Sequence, residues 1–413
     1  MHDELFEQPA VVARYRAGPY AESREQFLRQ ARADGHTPRT LGSMAWALLI
    51  VAEAVHRNGG SISYEQLRNT LLRRIRLKLT ARPPSANTAK LFLRCGKAWL
   101  RSIGALTPEP ERPLRFAAEL RAFTEYMGVE QGLSPRTIAD HHERLRWFCA
   151  SLPPQVRSLG AVTVAHVDAF MAAYARRGWS RRALRTLGSG LRSFFRYAAY
   201  QGWCRSDLAS AIELPRLYTL EDVPRAPSTE EVCRLLEDTA SRDDPVNIRD
   251  HAILSLLIYY GLRRGEVERL TLDDLDWVAE TIRVTRPKLR RAQCYPMIAQ
   301  VGETILRYLR DARPRCSHRA LFLTIQAPFR PLSGASITFM VRKRLTKQGV
   351  QLNRRGAHCL RHACASQLLS AGFTLKQIAD HLGHRSMDAT RIYTKIDLPG
   401  LRQVAEFDLG ALL

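Results

Sequence analysis

The sequence predicts a mainly α-helical chain carrying one small β-hairpin, an α+β fold in which helices dominate. Three observations predict it. Apolar residues recur at helical spacing over most of the chain, hydroxyl and proline residues stand where helices would begin, and strand-like patterning is confined to residues 281–298. With 413 residues, 45% of them apolar, the chain can build two or three domains with ordinary cores.

Residues 1–106 read as a helical N-terminal accessory region. Thr40 to His56 carries a broad apolar face, while Ser63 to Ile75 and Asn87 to Ile103 are amphipathic, the first of these strongly basic. Asn58-Gly59-Gly60 and Arg82-Pro83-Pro84 break them apart, and Pro108, Pro110 and Pro113 mark a boundary. Residues 114–204 then read as a four-helix unit: Leu114 to Gly128, Ser134 to Leu152, Val164 to Arg177 and Ser180 to Tyr200. Ser134-Pro135 and Thr163 suit helix starts, because a hydroxyl accepts from free N–H groups and proline fits the first turn. In the last of these helices Arg181, Arg182, Arg185 and Arg192 interleave with Phe194, Phe195 and Tyr197. The aromatics are expected in the core and some of the arginines on phosphate.

Residues 205–227 have weak periodicity and read as a linker. Ser228-Thr-Glu-Glu231 is a capping box opening a domain over 228–398, mostly helical, with strands expected at Thr281 to Thr285 and Gln293 to Ile298. The basic turn Arg286-Pro-Lys-Leu-Arg-Arg291 joins them and brings Lys288, Arg290 and Arg291 together. The tail, 399–413, ends on apolar residues and is expected to dock, in cis or on a neighbouring copy.

Charge narrows the function. The chain holds 63 Lys and Arg against 40 Asp and Glu, a net +23, which fits a polyanion partner. A membrane is the weaker candidate: the longest apolar run, Met44 to Ala52, is too short to span a bilayer and stops at Glu53. The first residues are acidic, unlike a signal peptide, so a soluble, cytoplasmic protein is expected. The eight cysteines are scattered without a CxxC pair, giving no sign of a disulfide framework or a zinc finger.

The chemistry-bearing residues lie in the second half. Arg263 stands in Tyr260-Gly-Leu-Arg-Arg-Gly-Glu266, after the apolar run Ala252 to Tyr259. Lys288 sits in the basic hairpin, where a solvated turn is the plain alternative. His358 and Arg361, three apart at the start of a helix from Cys359 to Ala371, share a face that can meet one anion beside the free N–H groups of the first turn. Gly383 reads as a helix C-cap before His384, and Tyr393 follows nine residues on. Arg grips phosphate in fork geometry, His moves protons near neutral pH, and Tyr can act as a covalent nucleophile. His358 with His362, and His381 with His384, have spacings a zinc site could use. No HExxH pattern, carboxylate or cysteine completes such a ligand set, so no metal is expected.

The ordered set Arg263, Lys288, His358-x-x-Arg361, His384 and Tyr393 resembles the tyrosine recombinase (phage integrase) family, specifically over 228–397 and more loosely over 114–204. The resemblance implies a helical, SAM-like core-binding domain and a catalytic domain that together form a clamp on double-stranded DNA, with 1–106 as an accessory arm of mobile-element type. It implies a site-specific recombinase or integrase without cofactor or required metal. Tyr393 would form a 3′-phosphotyrosyl link, Arg263 and Arg361 would grip the phosphate, and Lys288 would protonate the leaving oxygen. His358 would assist proton removal, His384 would hydrogen-bond the phosphate, and Glu266 would orient its neighbours. Lys288 lies eight residues before Pro296, as the family lysine does before its proline, although Arg286-Pro287-Lys288-Leu289 lacks the family's flanking glycine. The resemblance also implies a tetramer on two recombination sites, with related recombinases as possible partners, acting on the nucleoid in integration, excision or transposition. A catalytically silent DNA-binding protein and a type IB topoisomerase are the alternatives.

Overall fold

The computed structural model describes residues 2–78, 86–108, 114–217, 226–286, 291–352 and 356–383. It divides into two compact units, Met1–Thr107 with Val223–Leu413, and Pro108–Asp222. Among the described residues, no helix is long and apolar enough to cross a membrane.

The N-terminal part of the first unit holds α1 (His2–Leu5), α2 (Pro9–Ala17), α3 (Ala21–Ala33), α4 (Pro38–Arg57), α5 (Tyr64–Lys78) and α6 (Ala86–Ser102). The apolar run noted above becomes the buried centre, with α3, α5 and α6 packed on α4. Helix α4 begins three residues after Gly35 rather than at Thr40, because the Thr37 hydroxyl accepts the Thr40 N–H at 3.3 Å and Pro38 fills the first turn. Two short strands, β1 (Ile62–Ser63) and β2 (Leu106–Thr107), pair in parallel and close this bundle. The Phe329 amide donates to the Asp34 carbonyl at 3.3 Å, tying the bundle to the later part of the same unit.

The second unit is a helical bundle of α7 (Ala117–Val129), α8 (Pro135–Ser151), α9 (Val164–Arg176) and α10 (Arg181–Tyr200), followed by the single turn α11 (Leu208–Ala211). Its core is aromatic: Phe148 meets Phe170 at 5.3 Å and Phe195 at 5.7 Å, both edge-on. The linker expected from residue 205 starts later. Leu208, Ala209 and Ile212 are buried in this core, and one helical turn is too short to show a period in sequence.

The remainder of the first unit comprises α12 (Thr229–Ala240), α13 (Pro245–Tyr259), α14 (Arg264–Arg269), β3 (Leu275–Asp276), β4 (Thr281–Arg286), β5 (Arg291–Pro296), α15 (Ala299–Arg307), α16 (Gly334–Lys347), α17 (Ala357–Ser370) and α18 (Leu375–Leu382). From Ala252 to Ile258 helix α13 is buried on every side and is apolar but for Ser255, and it packs against α12, α15 and α17, the central position such a helix must take. The strands form one antiparallel sheet in the order β3-β4-β5. The hairpin differs from expectation at its tip. Arg286 pairs with Arg291 within the ladder, so both belong to strands rather than to the turn.

Candidate active site

The site begins where α13 ends. Gly261 turns the chain with a left-handed φ of +59°, and a Cβ there would lie 2.5 Å from the Leu382 side chain. Glycine therefore supplies both the turn and the close approach of α18. Arg263 is the residue that caps α14. The Glu266 carboxylate accepts the Arg263 backbone N–H at 2.8 Å with one oxygen and the Arg263 Nη1 at 2.8 Å with the other. Glu266 is buried, while the Arg263 side chain keeps 38% of its surface open. Arg263 Nη2 also donates to the Gly383 carbonyl at 3.1 Å.

Helix α17 carries His358 and Arg361, but it does not bring them to one exposed surface. His358 is exposed in the first turn, whereas Arg361 is completely buried. Arg361 Nη1 donates to the Gly261 carbonyl at 2.7 Å and Nη2 to the Leu382 carbonyl at 2.6 Å. Spacing alone placed both on one side of the helix; the long Arg361 side chain runs instead beneath the end of α18.

The C-terminal end of α18 is the hub. Gly383 caps the helix with φ +60°, leaving the carbonyls of residues 381–383 at the negative end of the helix dipole. Three guanidiniums meet them. Arg361 and Arg286 share the Leu382 carbonyl, at 2.6 and 2.5 Å, and Arg263 takes Gly383. Tyr295 donates its hydroxyl to the His381 carbonyl and accepts from Arg286. Burial pushes the Tyr295 hydroxyl up to about 12. The His381 ring, edge-on to Tyr295, is pushed down by burial and then by Arg286 and Arg361.

Arg286 is a site residue that the sequence analysis does not single out, because it counts Arg286 within the basic turn 286–291. A signal was available: Ile282, Val284 and Arg286 alternate inward along β4, so the strand period puts Arg286 on the buried face.

His362, one turn after His358, has its ring 4.6 Å from that of His358. Burial, then His358 and Arg361, lower its pKa from 6.5 to about 4. Between those values the unfolded chain binds a proton that the folded chain does not, so stability falls as pH drops. His362 is expected to remove about 2 kcal/mol between pH 7 and pH 5. Thermal melts across that range check this: His362→Gln should lose less stability on acidification than wild type, and an equal loss would contradict it.

Lys288, Arg290, His384, Tyr393 and the tail 399–413 lie outside the described residues. Of the arginines expected on DNA, Arg181, Arg182 and Arg185 are exposed on α10, with Arg185 also donating to the Pro215 carbonyl at 3.1 Å. Arg192 departs from expectation. It is half-buried and donates to the Ile212 carbonyl, holding the end of its own bundle. Arg291 enters the ladder through its backbone.

The family model described as the phage integrase family matches residues 228–398, and the phage integrase N-terminal SAM-like domain matches residues 120–202. The integrase/recombinase y4rA of Sinorhizobium fredii is 38% identical over 313 residues, covering 75% of this chain and 76% of that protein. Tyrosine recombinase XerC of Azotobacter vinelandii is 31% identical over 299 residues, covering 70% of this chain and 94% of its own. Among solved structures, the XerH site-specific recombinase in a post-cleavage complex with its palindromic difH substrate superposes with a TM-score of 0.55. That likeness spans 83% of this chain and 96% of XerH at 19% identity, a likeness of fold.

Proposed function

The chain belongs to the tyrosine recombinase (phage integrase) family, whose members are site-specific DNA recombinases, and we propose that it cleaves and rejoins DNA strands through a 3′-phosphotyrosyl intermediate. The observation that supports this most is the convergence of Arg263, Arg286 and Arg361 on the carbonyls just before His384. Those carbonyls are neutral acceptors. A phosphate carries full charge and makes stronger, charge-assisted bonds, so it competes with them for Arg263 and Arg361.

In this reading the Tyr393 hydroxyl oxygen attacks the scissile phosphorus while His358 takes its proton. The P–O5′ bond breaks, and Lys288 gives a proton to the departing 5′-oxygen. Arg263 and Arg361 hold the non-bridging oxygens, with Arg361 turning from Leu382 to phosphate, and His384 donates a further hydrogen bond. Glu266 keeps Arg263 extended toward the substrate. A 5′-hydroxyl from a second duplex then reverses the steps, and because one phosphodiester replaces another, no ATP is consumed. Two sites would be joined within a multimer, a homo-tetramer in the simplest case. We place its action on the nucleoid in the cytoplasm, in integration, excision or transposition of a mobile element.

A duplex nicked near the cleavage point tests the reading, because the short 5′ fragment diffuses away and traps the covalent complex. Adduct formation followed by joining between two duplexes is expected. Adduct with relaxation but no joining would make the protein a topoisomerase, and absence of adduct on every duplex would leave a DNA-binding protein. Binding should also weaken steeply with salt, with a log–log slope of about −0.9 per phosphate contacted. Near-constant affinity in a salt titration would contradict a backbone-dominated grip.

A further inference from the structure

We propose that Arg286 is a positioning residue for the proton donor of the β4–β5 hairpin, a role that rests on the strand-exchange reading above. A guanidinium only 3% exposed is an unexpected end for a strand whose other inward residues are Ile282 and Val284. Burying a cation is costly unless it is paired and hydrogen-bonded. Here Nη1 donates to the Leu382 carbonyl at 2.5 Å, Nη2 donates to the Tyr295 hydroxyl, and Nε stands 3.8 Å from the Glu266 carboxylate. That carboxylate oxygen is the one that pairs with Arg263 Nη1 at 2.8 Å.

Gly383 completes the device. A Cβ at that position would lie 1.0 Å from Arg286 Nη1, so the missing side chain is the space the guanidinium occupies. The contact fixes the end of β4 to the end of α18. Arg286 precedes Lys288 by two residues, and Leu382 precedes His384 by two. One fork therefore anchors the chain entering the proton donor to the chain entering the phosphate-binding histidine. Lysine cannot replace it, since a single ammonium does not point in three fixed directions.

Sulfur substitution separates this role from simple structural support. In a nicked substrate whose bridging 5′-oxygen is replaced by sulfur, Tyr393 oxygen attacks phosphorus, the P–S bond breaks, and the thiolate leaves without a proton. Arg286→Lys, which keeps a charge beside Glu266, and Arg286→Met should both cleave the oxygen substrate about 10–10²-fold more slowly than wild type. On the sulfur substrate the deficit should shrink to a few-fold. Thermal melts and DNA binding identify folded variants, and Arg286→Lys suffices if Arg286→Met does not fold. Equal deficits on both substrates, or no deficit on oxygen, overturn the proposal. Lys288→Ala run alongside tells the two readings apart. If it recovers on sulfur while the Arg286 variants do not, the mechanism stands and the positioning role fails. If the Arg286 variants recover and Lys288→Ala does not, the positioning role stands and the hairpin carries a different acid. If wild type gives no adduct on either substrate, both readings fall.

Discussion

Tyr393→Phe is expected to abolish the covalent DNA adduct on a nicked duplex while leaving affinity for that duplex unchanged. The substitution keeps the ring and removes only the oxygen that would attack phosphorus, so binding and chemistry separate cleanly. Two buried tyrosines beside the site, Tyr260 and Tyr295, are poorly suited to take over. The Tyr260 hydroxyl is pushed up by burial and donates to the Pro296 carbonyl at 2.8 Å. Tyr295 is pushed up to about 12 and is held between the His381 carbonyl and Arg286. Both are poor nucleophiles with their hydroxyls engaged. Denaturing gels of the reaction check the result, and adduct persisting in Tyr393→Phe would move the nucleophile elsewhere.

Arg361→Ala is the second large effect, and it should be felt twice. Losing one fixed donor aimed at developing charge costs on the order of 10²–10³ in rate. Because Arg361 is wholly buried, the substitution also strips a hydrogen bond from the Gly261 carbonyl and one of two from Leu382. A buried acceptor left without its donor costs about 1–3 kcal/mol, so the melting temperature should fall as well. Arg263→Ala provides the contrast. Its side chain is 38% open, so it should show a comparable loss in cleavage with a smaller loss in stability. Single-turnover cleavage beside thermal melts resolves the two effects. Cleavage by Arg361→Ala within tenfold of wild type would remove this residue from the phosphate grip.

Much of the architecture was legible because it is local. Helix starts at Ser134, Ser180 and Ser228 follow from hydroxyls that accept the third N–H, and all three form. The Gly383 cap and the hairpin near residue 290 were likewise written in short-range chemistry. What sequence reading misplaced was set by contacts between distant segments. Leu208 and Ile212 looked like linker because one helical turn shows no period, and only packing against α10 buries it. Arg286 reads as part of the turn because its partners, Glu266, Tyr295 and Leu382, are 20, 9 and 96 residues distant.

The same distinction governs the charge. Strong basicity, a mostly helical pattern and an ordered set of Arg, Lys, His and Tyr residues can all be read from the amino-acid order. The fold decides which guanidiniums are drawn onto backbone carbonyls. Arg24 is buried on the carbonyls of Tyr15 and Gly18, Arg115 reaches those of Leu152 and Pro153, and Arg192 holds Ile212. Arg263, Arg286 and Arg361 gather at the end of α18, while Arg181 and Arg182 stay exposed. Formal charge is a property of composition. Whether a guanidinium meets a backbone carbonyl or an incoming phosphate depends on which acceptors the fold brings within about 3 Å of it.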